Sequence, residues 1–423
     1  MQYRSALLKT ALATGQALKA SFTVGRPTCA GSREYRATFC PTRLHAFADR
    51  CVLSARRSVS VSSPASTQTP CATCAANEAL DMSKAHDLAA YICSSPIAKS
   101  CGVESTEDPD QVAHWEKLGA ILSERLGHPV GSDKIDQQRA RIYQYYLPIY
   151  LWLRMHLQQH KQSHPDTPLV LGMSAPQGSG KTTICEELQH LLSYEGYQAV
   201  FASLDDFYLT FDAQQALAKA HPDNPLLQVR GQAGTHDIEL ARQTLEQLKA
   251  ATSESSEVAV VRYDKSAHEG RGDRAPDSKW QQVKGKVDVV LFEGWMLGFK
   301  PLTDRAAEKA GKDILAINNH LKKYPAAIDN FVDLWMVVKV GDPKYVYQWR
   351  LEAEHKAKAA GKSGMTDEQV ADFVDRYMPG YVHYLPELYS CGPTTKQPGK
   401  VLTIEIQKSR QLTKEQPDQF MEN

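Results

Sequence analysis

The chain has 423 residues, of which 42% are hydrophobic, and its 49 basic and 49 acidic residues give a formal net charge of zero. This length is enough for one large α/β domain or two smaller ones. Residues 1–77 hold ten basic and two acidic residues, so residues 78–423 carry a net charge of −8. Such a body is a poor binder of polyanions, and no apolar run approaches the ~20 residues of a membrane span, which argues against nucleic-acid and membrane partners.

Residues 1–62 differ in composition from the rest of the chain. They are rich in Ala, Ser, Thr and Arg and almost free of acidic residues, which is typical of an organelle transit peptide, although a disordered basic tail would have the same composition. These residues do not distinguish a chloroplast from a mitochondrial signal. Residues 63–103 are interpreted as a linker. The lone Cys71 and Cys74 pair lacks the further ligands of a zinc site, and its role stays open.

Two helical patterns precede the first predicted strand. Asp108 and Pro109 suit the N-cap and first turn of a helix that Gly127 ends. A second helix begins near Asp133, and Pro148 is expected to kink it. We expect these helices to form an N-terminal layer whose aromatic side chains belong to the core.

The chain then changes to a strand, a glycine-containing loop and a helix. Residues 169–174 form a short apolar run after Pro168, and the helical pattern that follows the loop ends at Gly196. The loop matches the end of the P-loop signature. The expected ATP-binding residues are therefore Gly178, Ser179, Gly180, Lys181, Thr182 and Thr183.

The residue types in this loop suit phosphate binding. Gly178 and Gly180 let backbone N–H groups approach a phosphate, and the following helix directs its positive dipole end to the same place. Lys181 is an expected catalytic cation for the β- and γ-phosphate oxygens, and the Thr182 hydroxyl is an expected Mg²⁺ ligand. Ala175 replaces the first glycine of the strict signature, which is tolerable if its φ is negative.

Five further segments are predicted as strands, and helical patterns separate most of them. They are residues 199–208, 258–264, 287–294, 334–340 and 401–406. This alternation predicts an α/β fold of the P-loop NTPase type, with a parallel sheet covered by helices on both faces. Because ligands gather at the carboxyl ends of parallel strands, we expect the phosphate loop and the residues that end the other strands to meet there.

Carboxylates end two of these strands. Glu293 has the Walker-B position, where an acid holds Mg²⁺ directly or through water, although it could instead cap the next helix. Asp205 and Asp206 end the strand after the phosphate loop. Since neighbouring residues of a strand point to opposite faces, one of the two is expected to face the phosphate.

Cationic loops and a cationic helix supply candidates for binding the acceptor. Arg271 and Arg274 lie in a charged, glycine-punctuated loop, where an arginine fork suits a carboxylate or phosphate, but a solvated loop would look the same. A long helix after Asp342 carries Arg350 and Lys356, either as a lid over the transferred phosphoryl group or as a solvated face.

Five segments together resemble one known family. Residues 175–183, 203–208, 230–237, 262–274 and 292–296 resemble the plant and algal D-glycerate 3-kinases, relatives of phosphoribulokinase, uridine kinase and pantothenate kinase. The resemblance covers residues 104 to about 408 and indicates a kinase domain over residues 104–423. Residues 230–237 and 263–266 match far more specifically than the phosphate loop does.

The resemblance implies that ATP, with Mg²⁺, phosphorylates D-glycerate to 3-phospho-D-glycerate in photorespiration, and it favours the chloroplast as the location. It makes Asp205, rather than Asp206, the base toward the acceptor hydroxyl. The substrate-binding residues that it implies are Arg230, His236, Asp237, Tyr263, Lys265, Arg271 and Arg274. The alternatives are a sibling kinase for ribulose phosphate, uridine or pantothenate, and a regulator that binds nucleotide without turnover.

Overall fold

In the computed structural model, residues 82–127, 135–361 and 364–419 are described. The predicted transit peptide and the Cys71–Cys74 pair lie outside these residues. The strands are β1 (Leu169–Ser174), β2 (Ala199–Ser203), β3 (Glu257–Val260), β4 (Tyr263–Asp264), β5 (Asp273–Arg274), β6 (Gln281–Lys284), β7 (Val289–Gly294), β8 (Leu334–Val340) and β9 (Val401–Ile406).

Helices occupy most of the remaining described residues. They are α1 (Met82–Cys93), α2 (Pro109–Arg125), α3 (Ile135–Ala140), α4 (Leu147–Ser163), α5 (Lys181–Tyr194), α6 (Phe211–Ala220), α7 (Ile238–Lys249), α8 (Asp304–Ala310), α9 (Lys312–Leu321), α10 (Tyr324–Ala327), α11 (Tyr345–Ala359), α12 (Asp367–Asp375) and α13 (Met378–Cys391). Within the described ranges, no helix combines the length and the apolar character that crossing a bilayer requires.

Five parallel strands form the main sheet, in the order β2-β7-β1-β8-β9. Every residue of β1 and β7 is buried, which is the burial expected of central strands covered on both faces. The register places Glu293 of β7 beside Met173 of β1 and Ser203 of β2. The predicted α/β fold, with a parallel sheet and flanking helices, is therefore confirmed.

One predicted strand lies outside the parallel sheet. The segment predicted over residues 258–264 divides into β3 and β4, and β3 pairs antiparallel with β6, while β4 pairs antiparallel with β5. The apolar run in this segment predicted extended backbone correctly. It carried no information on the partner strand, because pairing depends on side chains across the sheet.

The N-terminal helical layer is present and extends further toward the N-terminus than predicted. Helix α2 begins as expected, because Asp108 accepts a hydrogen bond from the Asp110 N–H and Pro109 occupies the first turn. Residues 82–103 contribute to the core instead of forming only a linker, because Ile92, Ile97 and other apolar side chains there are fully buried. The linker expected over residues 63–103 is therefore corrected for its described part.

The helix type changes just before Pro148. Residues 141–146 form a π-helical turn, and α4 begins directly after it with Pro148 in its first turn. The backbone stays helical through the junction, because the Leu147 N–H donates to the Ile142 carbonyl five residues earlier. The kink expected at Pro148 stays a prediction.

Candidate active site

The phosphate loop runs from the end of β1 to the start of α5. Gly178 and Gly180 have φ of +77° and +97°, which a side chain would disfavour. A Cβ at Gly178 would lie 2.6 Å from the Cβ of Trp349, so the loop also has no room for one. Ala175 is buried and is not among the described non-glycine residues with positive φ, so the substitution is compatible with the loop.

The hydroxyl residues of the loop differ in exposure. Ser179 is buried and donates its hydroxyl to the Pro176 carbonyl over 2.7 Å, so its side chain braces the loop. Thr182 is exposed and Thr183 is half-buried at the start of α5. Both residues lie in the first turn of α5, where a phosphate or a metal ion bound at the helix N-terminus would meet them.

Lys181 and Glu293 meet across the sheet edge. Lys181 Nζ lies 3.7 Å from Glu293 Oε2, and Ser203 donates to Glu293 Oε1 over 2.7 Å. Glu293 Oε2 is buried without a hydrogen-bond partner among the described residues. Burial raises the pKa of Glu293, and Lys181 opposes that shift. Such an unsatisfied buried carboxylate oxygen suits a hard cation.

Asp205 follows β2 on a short 3₁₀ turn, Leu204–Phe207. The argument from strand alternation is therefore corrected, since neither aspartate lies on the strand. Lys265 Nζ lies 2.6 Å from Asp205 Oδ2, and Tyr208 donates its hydroxyl to Oδ1 over 3.0 Å. Burial raises the pKa of Asp205, but the charges of Lys265 and Lys181 outweigh burial and hold it below its usual value.

Asp206 has different partners from its neighbour. Its Oδ2 lies 3.0 Å from Arg262 Nη1, and its Oδ1 accepts from the Tyr263 N–H over 3.3 Å. These contacts attach the 3₁₀ turn to β4. Asp206 therefore holds the turn in place, whereas Asp205 is paired with Lys265.

His236 is buried beside Asp205 and Tyr208. Its ring stacks on Tyr208 at 4.5 Å, and its Nδ1 lies 2.8 Å from the Tyr324 hydroxyl, which also accepts from the Gly234 N–H. We assign the ring proton to Nε2, because Tyr324 can then donate to Nδ1. His236 Nε2 has no partner among the described residues. Burial lowers the pKa of His236 to about 4, so it is a neutral hydrogen-bond donor at neutral pH.

Two of the other expected substrate-binding residues, Arg230 and Tyr263, are occupied by contacts within the chain. Arg230 donates to the carbonyls of Gly270, Arg271 and Lys265, and its guanidinium lies 5.7 Å from the Tyr263 ring centroid. Arg230 and Tyr263 therefore shape the loop that carries Lys265.

Arg274 and Arg271 do not converge on one point. Arg274 lies 2.8 Å from Asp237, which also caps α7. Arg271 is exposed, with its guanidinium 6.0 Å from the Phe211 ring centroid. Only Arg271 of this pair is left without an ion pair among the described residues.

The predicted lid residues are placed on α11. Arg350 pairs with Glu354 at 2.5 Å and lies over the ring of Phe373, while Lys356 is exposed. Arg350 therefore joins α11 to α12, and the role of Arg350 and Lys356 as a lid stays a prediction.

Sequence reasoning missed several residues that hold the phosphate loop. Arg410, with φ of +63°, donates from Nε to the Gly178 carbonyl over 2.8 Å, and Tyr381 accepts from the Gln177 N–H over 3.1 Å. They lie more than 200 residues from the loop, and no local pattern connects them to it.

Comparisons with known proteins agree with this geometry. No protein-family model matches the chain. The chain is 41% identical over 348 residues to the chloroplastic D-glycerate 3-kinase of Arabidopsis thaliana, covering 81% of this chain and 76% of the relative. An uncharacterized kinase of Schizosaccharomyces pombe is 41% identical over 239 residues, covering 54% of this chain and 85% of the relative. The solved D-glycerate 3-kinase of Cryptococcus neoformans is 34% identical with a TM-score of 0.57, covering 63% of this chain and 97% of that structure.

Proposed function

The chain belongs to the D-glycerate 3-kinase family, and we propose that it transfers the γ-phosphate of ATP to D-glycerate, giving 3-phospho-D-glycerate and ADP. The observation that carries this proposal is the placement of a carboxylate, Asp205, two residues after Ser203, whose hydroxyl donates to the Glu293 that contacts the phosphate-loop lysine, Lys181. A protein that binds nucleotide without turnover has no need of such a base. The choice of D-glycerate as the acceptor rests on the similarity to two D-glycerate 3-kinases.

The phosphate loop binds the nucleotide in this proposal. Backbone N–H groups around Gly178 and Gly180 surround the phosphates, and the N-terminus of α5 adds its dipole. Lys181 holds β- and γ-phosphate oxygens and neutralises the charge that develops during transfer.

Mg²⁺ fits the oxygen donors that this site presents. Among the described residues, no cluster of three or more His, Cys, Asp or Glu side chains forms a metal site by itself. The exposed Thr182 hydroxyl and the unsatisfied Glu293 Oε2 would hold the ion, together with nucleotide oxygens and water. The ion would supply charge neutralisation between the β- and γ-phosphates.

Asp205 and His236 serve the acceptor. The 3-hydroxyl oxygen attacks the γ-phosphorus, its proton passes to Asp205, and the bond to the β-phosphate oxygen breaks with its electron pair left on ADP. His236 Nε2–H is a buried donor without a partner among the described residues, and we assign it to the second hydroxyl of the acceptor. Because the ring is neutral, it does not compete with Lys265 for the carboxylate of the acceptor. Arg271 supplies a further positive charge in the loop between β4 and β5.

A coupled ADP-release assay tests the function. The acceptors are D-glycerate, ribulose 5-phosphate, uridine and pantothenate, each with saturating Mg·ATP. We expect a high kcat/KM with D-glycerate alone. Preference for one of the other three acceptors would identify a sibling kinase, and a lack of turnover with all four would favour a nucleotide-binding regulator.

We also propose a chloroplast location, with residues 1–62 as the transit peptide. The supporting observations are the basic, acid-poor composition of residues 1–62 and the chloroplastic relative. Residues 1–62 fused to a fluorescent protein should direct it to chloroplasts. Diffuse or mitochondrial fluorescence would contradict this location.

A further inference from the structure

Both carboxylate oxygens of Asp205 already accept hydrogen bonds from the chain itself. Lys265 Nζ lies 2.6 Å from Oδ2, and the Tyr208 hydroxyl lies 3.0 Å from Oδ1. An ammonium ion this close stabilises the ionised carboxylate and weakens it as a base. An incoming hydroxyl would meet a carboxylate whose negative charge is largely compensated.

Of the two side chains in this ion pair, that of Lys265 can move more easily. Its side chain is 57% exposed, whereas that of Asp205 is 22% exposed. It lies in the loop between β4 and β5, where His268 and Glu269 adopt positive φ. Arg230 and Arg274 are held in place, since Arg230 is bound to three backbone carbonyls and Arg274 is paired with Asp237. Arg271 is also exposed, but its guanidinium lies over the Phe211 ring and makes no ion pair with Asp205.

The size of the acceptor places its carboxylate close to Lys265. In a three-carbon acid, bonds of about 1.5 Å keep the carboxylate within about 5 Å of the hydroxyl that reacts. If that hydroxyl lies at Asp205, the cation that binds the carboxylate must lie beside Asp205 as well. Lys265 meets this requirement, because it is in contact with Asp205.

The geometry points to Lys265 as a cap on the catalytic base that the substrate's own carboxylate removes. This inference rests on the proposed function. When D-glycerate binds, the ammonium group of Lys265 transfers from Asp205 Oδ2 to the substrate carboxylate. Oδ2 then accepts the hydroxyl proton as the oxygen–phosphorus bond forms, and ADP leaves with the electron pair of the broken bond.

The cap explains how the enzyme would distinguish its substrate from water and from simple alcohols. Water and glycerol have hydroxyl groups but no carboxylate, so they leave Lys265 on Asp205. The base is then available only when an acid occupies the acceptor site. Lys265 is thus a specificity-determining residue that acts on kcat as well as on KM.

The first experiment uses the unaltered enzyme in the ADP-release assay with Mg·ATP. ADP release is measured with no acceptor, with glycerol, and with glycerol plus acetate. Acetate should occupy the carboxylate position and release Asp205, so we expect it to stimulate phosphoryl transfer to glycerol several-fold. Absence of stimulation at any acetate concentration would overturn the inference.

The second experiment removes the cap with Lys265→Met. We expect release of ADP without acceptor to rise about tenfold, which is a small part of the 10²–10⁴-fold that a general base contributes. With D-glycerate, KM should rise and the preference over glycerol should collapse, and acetate should have no effect. If ADP release falls by the same factor with water, glycerol and D-glycerate, Lys265 has only a structural role.

Two control variants complete the design. Lys265→Arg keeps the positive charge and should keep ADP release without acceptor low. Lys300→Met removes a lysine of similar exposure, 55%, that pairs with Glu387 at 3.2 Å, and it should behave as the unaltered enzyme. If the unaltered enzyme does not phosphorylate D-glycerate, the proposed function fails, whereas the hydrolysis measurements still decide whether Lys265 restrains Asp205.

Discussion

Replacing Asp205 with Asn removes the basic lone pair while preserving shape and a hydrogen-bond acceptor. In the structure the carboxylate contacts Lys265 and Tyr208, and the amide can keep one contact with each. The variant should therefore fold. It cannot accept the proton of the acceptor hydroxyl, so the chemical step should be affected directly.

The structure also sets the expected size of the effect. Glu293 and Asp206 cannot replace Asp205, because Glu293 is paired with Lys181 and Ser203, and Asp206 is bound to Arg262 and the Tyr263 N–H. We therefore expect kcat to fall about 10³-fold, within the 10²–10⁴-fold range of general-base catalysis. This loss corresponds to about 4 kcal/mol of transition-state stabilisation.

The assay compares kcat with nucleotide affinity in two variants. Asp205→Asn should leave the dissociation constant of ATP nearly unchanged, because the phosphate loop is intact. Asp206→Asn should lower the free energy of unfolding by about 1–2 kcal/mol through its lost ion pair, with a smaller effect on kcat. The reasoning is refuted if Asp206→Asn is the more damaging to kcat. Joint loss of nucleotide binding and kcat in Asp205→Asn would instead make Asp205 a metal ligand.

Three further predictions concern the phosphate loop, the N-terminal boundary and pH. Lys181→Ala should abolish turnover while the chain stays folded, with a lowered melting temperature because the buried Glu293 loses its cation, and retained turnover would remove Lys181 from catalysis. A chain starting at residue 81 should remain active. A chain starting at residue 104 should have a free energy of unfolding, measured by chemical denaturation, that is several kcal/mol lower, because the burial of Ile92 and Ile97 contributes about 2 kcal/mol each. Burial and the positive charge of Lys400 lower the pKa of His156 to about 4. Near pH 5 the unfolded chain therefore binds a proton that the folded chain does not, and the free energy of unfolding falls as the pH drops below about 6.5. His156→Gln should reduce that fall by about 2 kcal/mol between pH 6.5 and 5, and an unchanged pH dependence would contradict the assignment.

Much of the site was predictable because its parts are local in sequence. The strand, glycine-containing loop and Lys181 are contiguous, and Glu293 ends an apolar run, so pattern and spacing alone place them at one edge of a parallel sheet. The choice of Asp205 over Asp206 was different. It came from the family resemblance, and the argument from strand alternation was wrong because the chain turns into a 3₁₀ helix at residue 204.

The sequence by itself determined the parallel α/β fold, the phosphate loop and the set of chemical groups available for phosphoryl transfer. Hydrophobic periodicity and the glycine, lysine and carboxylate positions express these features within short segments. Only the tertiary structure decided which groups are free and which are bound: that Lys265 pairs with Asp205, that Arg274 pairs with Asp237, and that β3 pairs with β6. The physical reason is that an ion pair or a strand pairing depends on the distance between segments far apart in the chain, and that distance is set by the packing of the whole core.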